Sequence, residues 1–224
     1  MNNSAEFKKY ALSQGISSLT LDYHDKQIQS SMTPMILEER EMRVTQMTVF
    51  DRLMMDRILW VAGPVNDRMS TIVQAQLMFL DSVDNRDITM HIDSPGGSVY
   101  SGLGLLDVMD FVKPDIITIN TGLAASMGAV ILCSGTKGKR KALKRSRTMI
   151  HQPMSYGGYV QQASDMEIEA KEMNSIKKEL YEIISDMTGQ NYDRVSKDGD
   201  RDYWMTAIEA KKYGMVDEIV TKRK

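Results

Sequence analysis

An α/β fold with a largely parallel central sheet is the architecture this sequence predicts. Three observations carry it. From Arg57 onward, short apolar runs alternate with longer stretches whose apolar residues recur every three or four positions. Turns bearing glycine or proline separate the two kinds of segment, notably Gly63-Pro64 and Ser94-Pro95-Gly96-Gly97. The chain has 224 residues, enough for one substantial domain with a single core.

Residues 1–31 are polar and aperiodic, which predicts a flexible leader, and Met32-Thr33-Pro34 marks the start of more ordered chain. Met35 to Thr48 mixes short apolar stretches with charges and suits a loop or hairpin. Arg57 to Ala62 predicts a buried strand. Asp67 is placed to cap a helix with Met69, Ile72, Val73, Leu77 and Leu80 on its apolar face. Ile88 to Asp93 predicts the next strand, and Ser98 can cap a helix presenting Val99, Leu103, Leu106 and Met109. Beyond Pro114, Ile116 to Asn120 predicts a strand and Ala125 to Ser134 a helix of small residues. Thr148 to Ile150 predicts a short strand that delivers His151. A long helix is expected over about Val160 to Met187, with Ala163, Met166, Ala170, Met173, Ile176, Leu180, Ile183 and Met187 along one stripe and Gly189 as its stop. Thr206 and Glu209 have capping-box spacing for a last helix ending at Gly214, followed by a strand over Met215 to Val220.

Composition narrows the function classes. The formal net charge is −2, too small for a global field that would hold polyanions or a membrane surface. The single cysteine, Cys133, excludes an intramolecular disulfide and a multi-thiolate zinc site, and fits a reducing compartment. No apolar run approaches the length needed to span a bilayer, and the N-terminus has no signal-peptide core, so a cytoplasmic protein is expected. The 19 methionines read as leucine substitutes in core and interface positions. No phosphate-binding GxxxxGK[ST] loop occurs.

Two strand-to-helix turns are richer in small residues than packing requires. In Asp93-Ser94-Pro95-Gly96-Gly97-Ser98, paired glycines allow a sharp turn with uncovered backbone N–H groups. In Gly122-Leu123-Ala124-Ala125-Ser126-Met127-Gly128-Ala129, a serine stands near a helix start, where N–H groups and the helix dipole favour negative charge. Those are the needs of an oxyanion hole, although a cap serine in close helix packing would look the same. A serine hydroxyl needs a base. Of three histidines, His24 lies in the leader and His91 alternates within a strand, while His151 stands just past a strand end in Met149-Ile150-His151-Gln152-Pro153. The base needs an orienting acceptor, and Asp198, Asp200 and Asp202 are equal candidates by spacing.

Together these motifs resemble the ClpP family, the proteolytic subunits of the Clp protease. The matching segments are SPGG at 94–97, AASMGA at 124–129, MIHQP at 149–153, TGQ at 188–190, DRD at 200–202 and YGMVDEIV at 213–220. They run in order from about Pro34 to the C-terminus, and the ordered set is far more specific than any one of them. The resemblance implies a crotonase-like α/β fold with a protruding helical handle at about 152–200, within a peptidase domain at 32–224. It implies Ser126 as nucleophile, His151 as base and Asp202 as the third member. The N–H groups of Gly97 and Met127 would form the oxyanion hole, and Asp200 and Arg201 would sense contact between rings. It further implies two stacked seven-membered rings around a chamber, and a Clp-type AAA+ ATPase that uses ATP to feed in unfolded protein. The chain itself would need no cofactor or metal, and the leader would be a propeptide. Departures from the family pattern are Asp93 in place of asparagine, Leu123 in place of methionine or glutamine, and about two extra residues before Gly157-Gly158.

Rival readings are weaker. A crotonase-type acyl-CoA enzyme needs no Ser-His-Asp set, and a catalytically silent ring-forming paralogue should have lost one of its members. Lys137 to Arg147 carries seven basic residues, but without interleaved aromatics it reads as a solvated surface turn and not a nucleic-acid patch. Cys133, in an apolar helix, reads as a buried small residue. A serine–lysine dyad finds no lysine in a motif that would place it beside Ser126.

Overall fold

The computed structural model describes residues 35–40, 43–154 and 162–222. The expected leader and the Gly157-Gly158 loop lie outside the described residues. The chain forms two compact units, Met1–Met55 and Asp56–Lys224.

In the first unit, β1 (Met35–Arg40) and β2 (Arg43–Thr48) pair antiparallel, with Met35 opposite Thr48 and Arg40 opposite Arg43. This is the hairpin of the two forms expected. A helix not expected from the pattern, α1 (Val49–Met55), follows at once. Thr48 Oγ1 accepts from the Asp51 N–H and Asp51 Oδ2 accepts from the Thr48 N–H, both at 3.0 Å. That reciprocal cap starts the helix with an aspartate where the usual signal has Glu or Gln.

The second unit is a seven-stranded sheet. Strands β3 (Ile58–Ala62), β4 (Ile88–Ser94) and β5 (Ile116–Ala125) pair parallel in that order, linked by α2 (Asp67–Val83) and α3 (Val99–Phe111). β5 then forks. Its middle pairs with β6 (Lys141–Leu143), which pairs with β9 (Glu218–Val220), while its end pairs with β7 (Arg147–Ile150). Only β8 (Tyr203–Thr206) runs antiparallel, against β7. Helices α4 (Met127–Cys133), α5 (Ala163–Thr188), α6 (Tyr192–Asp198) and α7 (Ala207–Tyr213) complete the unit. The predicted largely parallel sheet is present. Its core is closed by Val61, Leu77, Met90, Ile92, Leu105 and Ile131, all fully buried.

Several boundaries differ from expectation for identifiable reasons. Asn66, not Asp67, caps α2, its side chain accepting from the Met69 N–H at 2.9 Å. Ile72 is exposed and Ser70 takes the buried position, because Ser70 Oγ donates to the Ser101 carbonyl of the adjacent α3. β5 extends to Ala125, where helix was expected, because Ala124 and Ala125 pair with Thr148 and Met149. The last strand shrinks to Glu218–Val220, since Met215 and Val216 are buried in the core ahead of it. The stripe on α5 is buried only at Ile176 and Leu180, joined by Tyr181 and Ile184, while Met166 and Ile168 are exposed. A second helix, α6, follows the αL cap at Gly189.

The basic run at 137–147 is only in part the solvated turn its composition suggested: Lys137, Lys144, Arg145 and Arg147 are exposed, but Arg140 is buried. Arg140 is 4% exposed and holds Asp217 with two hydrogen bonds, Nη2 to Oδ1 at 2.6 Å and Nε to Oδ2 at 2.9 Å. Its Nη1 donates to the carbonyls of Cys133 and Met187, so one guanidinium ties α4, α5 and the approach to β9 together. Lys139 pairs with Asp87 and Asp115, and Lys137 donates to the Asp186 carbonyl. Removing one partner of a buried pair strands the other charge. Arg140→Met is therefore expected to lose about 3–5 kcal/mol, read by denaturant unfolding.

Asp217 also sets an acid limit. Burial raises its carboxyl pKa, but the Arg140 hydrogen bonds and charge outweigh that and leave it below the ordinary 3.8. A folded pKa below the unfolded one gives stability that is present above the unfolded value and lost as pH falls through the folded one. Wild type should therefore lose stability below about pH 4, and Asp217→Asn should show a flatter acid limb in the same unfolding assay.

Candidate active site

The fork in β5 builds the site. Ala125 pairs with Met149, and the Ser126 N–H continues the ladder by donating to the Met149 carbonyl at 2.8 Å. Ser126 thus stands at the end of one strand, one residue from the level of His151 at the end of its neighbour. The chain must reverse there from strand into α4, and it does so through Ser126 itself, at φ 55° and ψ −126°. A non-glycine residue in that region stores strain of about 1–3 kcal/mol and turns its side chain out of the strand. Strained serines on strand-to-helix turns are a recurrent way of exposing a hydroxyl at a helix N-terminus.

Three predicted residues meet. His151 Nε2 lies 2.8 Å from Ser126 Oγ, and His151 Nδ1 lies 3.0 Å from Asp202 Oδ1. They are 25 and 51 residues apart in sequence and converge because β7 pairs with β5 on one side and β8 on the other. Of the three aspartates that spacing left equal, only Asp202 touches the imidazole. Asp198 ends α6, where it faces Arg194, and Asp200 offers its backbone carbonyl to Gln152. The histidine side chain is 12% exposed and the aspartate 60%.

The glycine turn lies directly over the serine. A Cβ on Gly96 would fall 2.5 Å from the Ser126 Cβ and 2.9 Å from the Met127 nitrogen. Gly97, at φ +150°, is held against Val65, whose N–H donates to the Gly96 carbonyl at 2.9 Å and whose carbonyl accepts from Ser98 at 2.8 Å. Ser94 Oγ steadies the turn, donating to the Gly63 carbonyl and accepting from the Gly96 N–H. Asp93, the departure before SPGG, accepts from the Leu123 N–H at 2.9 Å and joins the glycine turn to the serine strand.

Beside Ser126 and His151 opens an apolar recess lined by Val99, Met127, Val130, Ile150, Leu180 and Ile184. Arg201 is exposed. His91 lies on the sheet face expected of it, its ring stacked on Trp60 at 4.8 Å. Burial pushes the Cys133 thiol up to about 12, so it holds its proton as a core residue does. Pattern reading missed Gln152, Lys177 and Tyr181, which bond to the loops carrying His151 and Asp202. The only sequence signal was Gln152's place beside His151.

A hydroxyl, an imidazole and a carboxylate in series, with the glycine turn lying alongside, can perform acyl transfer. Comparison with known proteins points the same way. The family profile described as Clp protease matches residues 39–223. The ATP-dependent Clp protease proteolytic subunit of Bacteroides fragilis strain YCH46 is 53% identical over 220 residues, covering 97% of this chain and 99% of its own. That of Porphyromonas gingivalis strain W83 is 51% identical over 221 residues, covering 98% and 99%. On the profile and on identity across nearly the whole length, the chain belongs to the Clp protease family.

Proposed function

We propose that this chain is the serine endopeptidase subunit of a chambered protease and that Ser126, His151 and Asp202 do its chemistry. The observation that carries the roles is the unbroken series from Ser126 Oγ through both imidazole nitrogens to Asp202 Oδ1. Ser126 Oγ attacks the peptide carbonyl carbon while His151 Nε2 takes its proton. The carbonyl oxygen, now negative, rests on the N–H groups of Gly97 and Met127. As the C–N bond breaks, His151 returns the proton to the leaving amine. Water, deprotonated by the same nitrogen, then hydrolyses the acyl-serine and frees the second peptide. Asp202 keeps Nδ1 protonated and offsets the imidazolium charge. The apolar recess beside Ser126 suits an aliphatic or aromatic side chain on the acyl side of the cleaved bond.

Self-assembly into two seven-membered rings fits the exposed apolar side chains of a lone subunit, among them Phe111, Met166, Ile168 and Trp204. Asp200 and Arg201, beside the exposed Asp202, would report such contact. Burial of that loop between rings would remove the solvent that screens the Asp202–His151 pair. A partner ATPase supplies unfolded chains and spends the ATP, and the compartment is the cytoplasm. Among the described residues no helix is long and apolar enough to cross a membrane. A fluorophosphonate probe tests the chemistry. It should label the wild-type assembly on Ser126 and leave Ser126→Ala unlabelled, and equal labelling of both would sink the assignment.

A further inference from the structure

Two side chains one turn apart on α5, Lys177 and Tyr181, reach the two loops that carry His151 and Asp202. Lys177 Nζ donates to Gln152 Oε1 at 2.9 Å, and Gln152 Nε2 donates to the Asp200 carbonyl at 2.8 Å. Tyr181, fully buried, donates its hydroxyl to the Gly199 carbonyl at 2.8 Å. Gly199 packs against that ring so closely that a Cβ there would fall 2.9 Å from Tyr181 Cε1. Lys177 Nζ also lies 5.7 Å from the centre of the Tyr181 ring, within cation–π range. Two successive carbonyls, three and two residues before Asp202, are thus anchored from α5, one directly and one through the residue that follows His151.

We infer that Gln152 is a positioning residue for the acyl-transfer reaction, a strut oriented by Lys177 that fixes the separation of the His151 and Asp202 loops. The inference rests on the triad reading of the preceding section. Asp202 needs such help because its side chain is 60% exposed and therefore takes its place from its backbone more than from packing. The contact it must keep, 3.0 Å to His151 Nδ1, is lost as a hydrogen bond once the loops drift by about 1 Å. Gln152 can serve only in one orientation. Turned over, its amide would set oxygen against the Asp200 carbonyl and NH2 against the Lys177 ammonium, two repulsive contacts in place of two bonds. Lys177 therefore matters as a donor that selects the orientation and never touches the reacting atoms.

The test compares assembled full-length wild type with Gln152→Met, Lys177→Met and Lys177→Arg on a short fluorogenic peptide. The same substitutions are repeated in an Asp202→Ala background, with Ser126→Ala measured alongside. Gln152→Met should lower kcat about tenfold, the scale of one net hydrogen bond, with KM within about twofold. Lys177→Met should lower kcat by about threefold and Lys177→Arg, which keeps a donor, should restore it. In the Asp202→Ala background none of the three should cost more than about twofold, because the group they position is gone. Wild-type kcat in Gln152→Met overturns the strut, as does an undiminished tenfold loss without Asp202, or Lys177→Arg as poor as Lys177→Met. Should Gln152→Met fail to assemble, the lysine pair decides by the same criteria. An active Ser126→Ala would bring down the triad reading itself, whereas an inactive Ser126→Ala beside unaffected Gln152 and Lys177 variants would remove only the strut.

Discussion

Ser126→Ala is expected to lower kcat on a short peptide by more than about ten-thousand-fold, and His151→Ala by a similar factor. The double variant should be scarcely worse than either. The reason lies in the 2.8 Å contact between Nε2 and Oγ. Without the base, the hydroxyl keeps its proton and barely attacks; without the hydroxyl, the base has no proton to take. Each removal ends the same step, so the losses cannot add. What survives should be a residual rate from substrate binding and oxyanion contacts, still above the reaction in water. The measurement is steady-state kinetics of assembled protein, each variant matched for secondary structure. Independent, multiplying losses would mean that the two residues serve different steps, and a Ser126→Ala rate within tenfold of wild type would mean another nucleophile.

How much of this was legible in the sequence depended on whether the deciding contact was local. The alternation of strands and helices from Arg57 onward is a local signal, and the sheet follows it. Ser98, Thr206, Gly189 and Gly214 do at the helix ends what their types predict. Ser126 was found from its small neighbours, yet those neighbours suggested helix where the chain is strand. Ala124 and Ala125 have little preference of their own, and pairing with Thr148 and Met149 decides for them. Spacing could not rank Asp198, Asp200 and Asp202, because the choice is made by β8 running back along β7. Arg140 looked like one solvated cation among seven, and its partner Asp217 is 77 residues away. Lys177 and Tyr181 passed as ordinary residues of a long helix for the same reason. Contacts across the fold leave no periodic trace.

Gly97→Ala is the substitution with the next largest expected effect, and the cause is backbone, not side chain. The residue sits at φ +150°, a conformation that L residues rarely adopt, and a Cβ there would fall 2.3 Å from the Val65 oxygen and 2.9 Å from its nitrogen. Val65 has no freedom to yield, since its N–H and carbonyl are bonded to Gly96 and Ser98 on either side. The glycine turn itself must move, and it is the turn that lies against the Ser126–Met127 peptide. A displacement of even about 1 Å takes the Gly97 amide out of hydrogen-bond range of the developing oxyanion, which should cost about 100- to 1,000-fold in kcat with KM little changed. Strain alone is separated by Gly138→Ala. Gly138 also has positive φ, at +87°, but nothing stands within 4 Å of its missing Cβ and it lies outside the proposed machinery. That variant should lose about 1 kcal/mol of stability and keep its kcat. If folded, assembled Gly97→Ala turned over within threefold of wild type, the oxyanion would have to be held by groups other than this turn, and Met127 would be the first to re-examine.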